Sequence, residues 1–246
     1  MGVKVFIKGQ EVPKKTIKDW EQKRVDFISD FLTKELGTPK VATAEELTDL
    51  KMTIPEQKMR EITARNCKSN DVTSGMLAKI SRGKTAFCEV EMEVAGASAQ
   101  EIHDQYFGMM FDNNEANRRL NLSANPDHML LIGRENNEQE VIEASGGLSK
   151  QSLFYVCFGQ ENGLNSKADS AYPSQATGIC RIQNGTVIGG VRHQMRDTTD
   201  GCHVKLVVEF PKITPKKILA QHEIHLACEF SNWINAWVER AQAART

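Results

Sequence analysis

The chain has 246 residues, 40% of them hydrophobic and 26% charged, enough to bury a sizeable core in the manner of an ordinary globular protein. A formal charge of −1, with bases and acids mixed along the whole length, gives no case for nucleic acid or an anionic membrane surface as partner. No apolar run approaches the roughly 18 residues of a membrane helix, residues 1–15 lack the apolar run of a signal peptide, and none of the six cysteines forms a C-x-x-C pair. The expectation is therefore a cytoplasmic protein with reduced, mostly buried thiols.

In chain order, Val3 to Val12 reads as a small hairpin turning at Gly9. A helix is predicted from about Ile17 to Leu36, with Thr16 as its cap and Gly37 as its stop, and a second helical region follows Pro55 through Ile62. Residues 1–85 thus read as an N-terminal hairpin and helical cover, and 86–246 as the catalytic region, the two integrated in one domain. From Ala86 the pattern changes, with apolar and acidic residues alternating up to Val94 as in a half-buried strand. Ser98 is placed to cap a helix reaching about Phe111. Strands are predicted at 128–132, 140–144, 153–158, 178–182, 186–195 and 203–210, the last two flanking the turn signal Asp200-Gly201. A long helix closes the chain from about Pro215 to Ala241, with Thr214 as its cap and Pro215 in its first position. The order predicts an α+β fold, an antiparallel sheet wrapped round a long C-terminal helix.

That helix carries the sharpest chemical signal. At about 100° per residue, Ile218, Leu219, Leu226, Phe230, Trp233, Ala236 and Trp237 form one apolar stripe. His222 and Glu229 fall inside the stripe and His225 at its margin. A buried, unpaired carboxylate costs several kcal/mol or becomes protonated, so ionisable groups on this face need a reason. His225 and Glu229, at i and i+4, can chelate one metal ion; a His–Glu hydrogen bond would also account for the pair. Further ligands must come from elsewhere. His128 opens the apolar run Met129–Ile132 after Asn125-Pro126-Asp127, and Asp127 or the turn backbone can orient it. Glu143, in Val141-Ile142-Glu143 before Gly146-Gly147, is the strand-borne candidate, with Glu140 as its competitor on the opposite face. His193 can point into the same cavity. His103 and His203 have no such context.

These residues resemble the hydrolases that remove an acyl group from phloretin or from 2,4-diacetylphloroglucinol. The likeness lies in Asp104-Gln105-Tyr106-Phe107-Gly108 through Pro126-Asp127-His128, in Val141-Ile142-Glu143, and in His193–Thr198 together with His225-Leu226-Ala227-Cys228-Glu229, about half of the chain. The resemblance implies one zinc ion held by His128, Glu143, His225 and Glu229, and a curved antiparallel sheet round the terminal helix, the helix-grip or Bet v 1-like fold. It implies hydrolysis of a carbon–carbon bond beside a ketone, in a small aromatic or 1,3-diketone substrate. His193 and Tyr106 are then the candidates for proton transfer, His222 and Asp127 support the ligands from behind, and Phe107, Met110, Trp233 and Trp237 line the substrate pocket. Two alternatives stand beside this reading: a helix-grip carrier that does no chemistry, and a zinc hydrolase acting on an ester or lactone. Two imidazoles and two carboxylates would also accept iron or manganese. The sequence leaves a homodimer open.

Overall fold

Eleven residues of alternating pattern, Thr85–Ala95 (β3), pair along their whole length with Gly201–Pro211 (β9), and this ladder is the spine of the computed structural model, which describes residues 2–144 and 150–243, with side chains to 240. Outward from it the sheet runs through Val187–Thr198 (β8), Ser174–Arg181 (β7), Ser152–Phe158 (β6), Glu138–Glu143 (β5) and His128–Gly133 (β4) on one side. On the other side lie Val3–Ile7 (β1) and the two-residue β2, Gln10–Glu11. All neighbours are antiparallel, and every strand expected from the sequence is present. The hairpin of β1 and β2 turns at Gly9, whose φ of 74° suits a residue without Cβ.

The helices depart further from expectation. Helix α1 (Lys14–Leu36) ends as foreseen at Gly37 in the left-handed conformation. It starts before the predicted Ile17, however, with Pro13 as the flanking residue, so Thr16 is not its cap. Two helices separate α1 from β3 along the chain, where the sequence predicts helix only from Pro55 through Ile62. Helix α2 (Ala44–Thr53) opens with a Thr43–Glu46 capping box, and α3 (Glu56–Ser81) follows Pro55. Helix α3 hides from pattern reading because only Met59, Thr63, Cys67 and Ser81 are buried, while Val72, Met76 and Ile80 face outward. Helix α4 (Ala99–Phe111) has the expected Ser98 cap, reciprocated by Glu101. Helix α5 (Glu115–Ala124), capped by Asn114, is an addition. The terminal helix α6 (Lys216–Ala243) follows Pro215, and the Thr214 hydroxyl has no partner, so the expected cap is absent.

Two hydrophobic clusters use the two faces of the sheet. One joins β3, β8 and β9 to α4 and α6 through Val90, Met92, Leu206, Leu226, Phe230 and Trp233. The other packs α1, α2 and α3 on Met129, Leu130, Ile132 and Ile142. Residues 225–230 of α6 are all buried, because α1 and α5 cover the side of the helix that the sheet leaves open. The result is the α+β helix-grip arrangement, a curved antiparallel sheet with a C-terminal helix. All six cysteines are buried and unpaired. No helix among the described residues is long and apolar enough to cross a membrane.

Candidate metal centre

His128 reaches the inner face of the sheet through an irregularity in β4. Leu131 pairs with Val141 and Leu130 with Ile142, but His128, not Met129, stands opposite Glu143. Met129 is therefore an extra residue, a bulge. Simple alternation from Leu131, which lines the cavity, would turn His128 outward with Leu130. Instead Met129 and Leu130 both join the outer cluster, and His128 faces inward beside Glu143. Glu140, three residues before Glu143, points the other way and is taken up by Arg60 and Arg134, which removes it as a competitor. The glycines expected to stop this strand, Gly146 and Gly147, lie outside the described residues.

From α6, His225 and Glu229 meet this pair. Nε2 of His128 lies 3.7 Å from a Glu143 oxygen and 3.4 Å from a Glu229 oxygen. Nε2 of His225 lies 3.6 Å from Glu143 and 3.8 Å from Glu229. These separations exceed the about 2.7–3.2 Å of an N–H···O bond, and neither Nε2 has a hydrogen-bond partner although both rings are buried. They approach the roughly 3.3 Å between ligand atoms of a tetrahedral zinc ion with bonds of about 2.0–2.1 Å. His128, Glu143 and His225 by themselves place one ligand atom each within 4.8 Å of one another. This set of three has the donor chemistry of a zinc site, and Glu229, the fourth residue expected from the sequence, lies beside both imidazoles but outside the set.

Each ring is fixed by its other nitrogen. His128 Nδ1 donates to the carbonyl of Asn121 at 2.7 Å, and His225 Nδ1 faces Asp127 Oδ2 at 3.4 Å. Both contacts direct the Nε2 lone pair toward the centre. Asp127 thus supports His225, not its neighbour His128. Electrostatics ask for positive charge at the same point. Burial by itself would raise the Glu143 carboxyl, but His225, His128 and His222 outweigh it and hold it below its usual range. Burial would lower His225, yet Glu143, Asp127 and Glu229 lift it. A proton on His225 and a metal ion answer the same need of two buried carboxylates for a cation.

A cavity of about 190 Å³ opens from this cluster. His193 and His222 stand in its wall with Nδ1 atoms that lack a partner. Burial pushes His193 down to about 3. Burial and then His225, on which its ring stacks at 4.9 Å, bring His222 to about 3. Both are neutral imidazoles at physiological pH. Tyr106 packs against both Phe230 and His193, its phenol raised well above its ordinary value by burial and by Glu229. Met110 and Trp233 line the cavity as expected. Phe107 and Trp237 do not: one step along α4, Phe107 turns to Phe111 and Phe158, and one turn along α6, Trp237 stacks behind Trp233. His103 and His203 sit apart, beside Asp104 and Glu91.

Sequence reasoning missed two buried cations behind the turn that precedes His128. Arg24 of α1 meets Asp127 with Nε and Nη2 both 2.7 Å from Oδ1. Lys51 of α2, fully buried, donates to the carbonyls of Pro126 and His128 at 2.6 and 2.7 Å. The stripe logic used for α6 applies to α1, where Arg24 stands among Ile17, Trp20, Val25 and Ile28. Lys51 lies in a helix that the pattern did not reveal.

No protein-family profile and no curated protein matches the sequence. Among solved structures, the crystal structure of Ara h 8.0201 is similar over 63% of this chain and 99% of that one, with 10% identity and a TM-score of 0.43. Protein Ms6760 from Mycobacterium smegmatis is similar over 63% and 90%, with 9% identity and a TM-score of 0.35. Likeness this distant carries no argument about chemistry, which rests on the residues alone.

Proposed function

We propose that the chain is a zinc-dependent hydrolase that cleaves a carbon–carbon bond beside a ketone, the reaction of the phloretin and diacetylphloroglucinol hydrolases, whose ligand order the residues His128, Glu143, His225 and Glu229 would follow. The observation that carries the reading is the convergence of two buried, unpartnered imidazole nitrogens with two carboxylates at one end of an apolar cavity. Bound there, zinc would supply a Lewis acid for the ketone oxygen and a water of lowered pKa. Hydrolysis adds the hydroxyl of water to the acyl carbon and a proton to the departing carbon, giving a carboxylic acid and the deacylated compound. Tyr106, kept protonated by burial and by Glu229, is placed to donate a proton. His193, neutral and with a free Nδ1, can accept a hydrogen bond from a substrate hydroxyl or take its proton. Among the described residues no lysine or arginine lines the cavity, so an uncharged ketone suits it better than a carboxylate or phosphate ester. Trp233, Val191 and Ile188 hold its apolar part.

The test is metal content by elemental mass spectrometry on protein prepared without chelators, for the native chain and for Glu229→Ala. One zinc per chain, lost in the variant, supports the reading; acid release from acylphloroglucinols and 1,3-diketones, set beside esters and lactones, then fixes the reaction. A native chain that takes up no zinc even when zinc is supplied sinks the hydrolase and leaves a cavity that carries a ligand unchanged.

A further inference from the structure

Two basic side chains are buried against three consecutive residues. Arg24 is 5% exposed and Lys51 0%, and they reach Asp127 and the carbonyls of Pro126 and His128 from two different helices. Taking the Arg24 charge out of water costs several kcal/mol, burial brings the Lys51 ammonium down to about 7, and apolar side chains of similar volume commonly stabilise a core as well or better. Packing alone does not account for them. What they share is the segment they grip. His128 is at its end, Asp127 faces His225 Nδ1, and Asn125 donates to the His225 carbonyl at 3.2 Å while accepting from the Asp127 amide at 3.0 Å.

We propose that Arg24 and Lys51 are positioning residues of the metal centre: from the two N-terminal helices they lock the 125–128 turn so that His128 and His225 present Nε2 to one point. The inference rests on the reading that this site holds a metal. Arg24 meets one oxygen of Asp127 through two nitrogens and leaves the other for His225, which fixes both the tautomer and the tilt of that ring. Lys51 spans two carbonyls on either side of Asp127 and so sets the backbone from which His128 departs. The N-terminal layer, which the sequence suggested was only a cover, then belongs to the centre.

The probe is cobalt(II), whose visible spectrum reports coordination geometry, titrated into the full chain with zinc competition for affinity and chemical denaturation for stability. The variants are Arg24→Met, Arg24→Lys and Lys51→Met, with Arg60→Met, which breaks a buried ion pair elsewhere, as control. Arg24→Met and Lys51→Met are expected to weaken metal binding about 10- to 100-fold and to alter the cobalt bands, as loss of groups behind metal ligands does. Arg24→Lys, which keeps the charge and loses the fork, should recover part of the affinity. Arg60→Met should lower stability and leave affinity and spectrum alone. Native affinity and spectrum in Arg24→Met and Lys51→Met would overturn the proposal, whatever their stability. Should either methionine variant fail to fold, Arg24→Lys decides: reduced affinity in a folded chain supports the proposal and unchanged affinity overturns it. A native chain that binds neither cobalt nor zinc overturns the metal reading itself, and this inference with it.

Discussion

At the His–Glu end of the cavity both imidazoles are held from behind: His128 by the Asn121 carbonyl, His225 by Asp127, and Asp127 in turn by Arg24. The far wall beneath α3 is built from Leu77, Ile182, Ile188 and Val191, with Asn70, Thr73 and Ser74 along the helix; its Asn70 donates to the carbonyls of Lys150 and Gln151, contacts that bury no charge. Burial of charge explains the contrast. A carboxylate or imidazole that faces a shared ion tolerates little error, since each misplaced group keeps its desolvation penalty and loses its partner. An apolar wall asks only for volume. Under the proposed function, chemistry belongs to one end of the cavity and the choice of substrate to the other.

The largest effect should come from removing a ligand. Glu143→Ala is expected to lose zinc, and with it the stabilisation that binding confers, about 4 kcal/mol at a free metal concentration 1,000 times Kd. Denaturation with and without a chelator measures this, and an equal response in native and variant chains would erase the distinction between the two ends. Next, His193→Phe should keep its zinc and lose about 10²- to 10⁴-fold in turnover on a ketone substrate, read from kcat and metal content on one preparation; loss of zinc instead would place His193 among the ligands.

A smaller effect concerns pH. His193 is neutral when folded, its pKa about 3, against 6.5 when unfolded. It takes up a proton on unfolding below the higher value, so its contribution makes stability fall as pH drops from 6.5 toward 3. Between pH 6.5 and 5.5 the native chain should lose about 1 kcal/mol more than His193→Phe, measured by urea denaturation at both values. The smallest effect is expected at Trp237. Because it lies behind Trp233, Trp237→Phe should leave zinc content and KM unchanged, whereas Trp233→Phe, in the cavity wall, should change KM. Equal effects on KM would return Trp237 to the substrate pocket.

The same contrast governs what could be read from sequence. Ionisable residues on an apolar stripe, His222, His225 and Glu229, announce themselves because burial of charge is costly, and the strands announce themselves by alternation. Helices α2 and α5 did not, and α3 was legible only from Pro55 through Ile62. The α3 pattern is inverted over its second half, where the helix roofs a cavity and turns Val72, Met76 and Ile80 outward. The choice between Glu143 and Glu140 depended on Arg60, 80 residues earlier in the chain, and the support of His225 depended on Arg24, about 200 residues before it. Partners so far apart in sequence become visible only when α1 and α3 are folded against the sheet.

The bulge at Met129 frees one residue of β4 from the alternation of the strand. An apolar substitution such as Met129→Leu conserves volume in the outer cluster and leaves the residue count intact. Deleting the residue would empty its place in that cluster, yet it would bring His128 into regular alternation with Leu130 and Leu131, still inward and opposite Glu143. Within β4, a changed or lost letter at position 129 should cost stability before it costs the direction of His128.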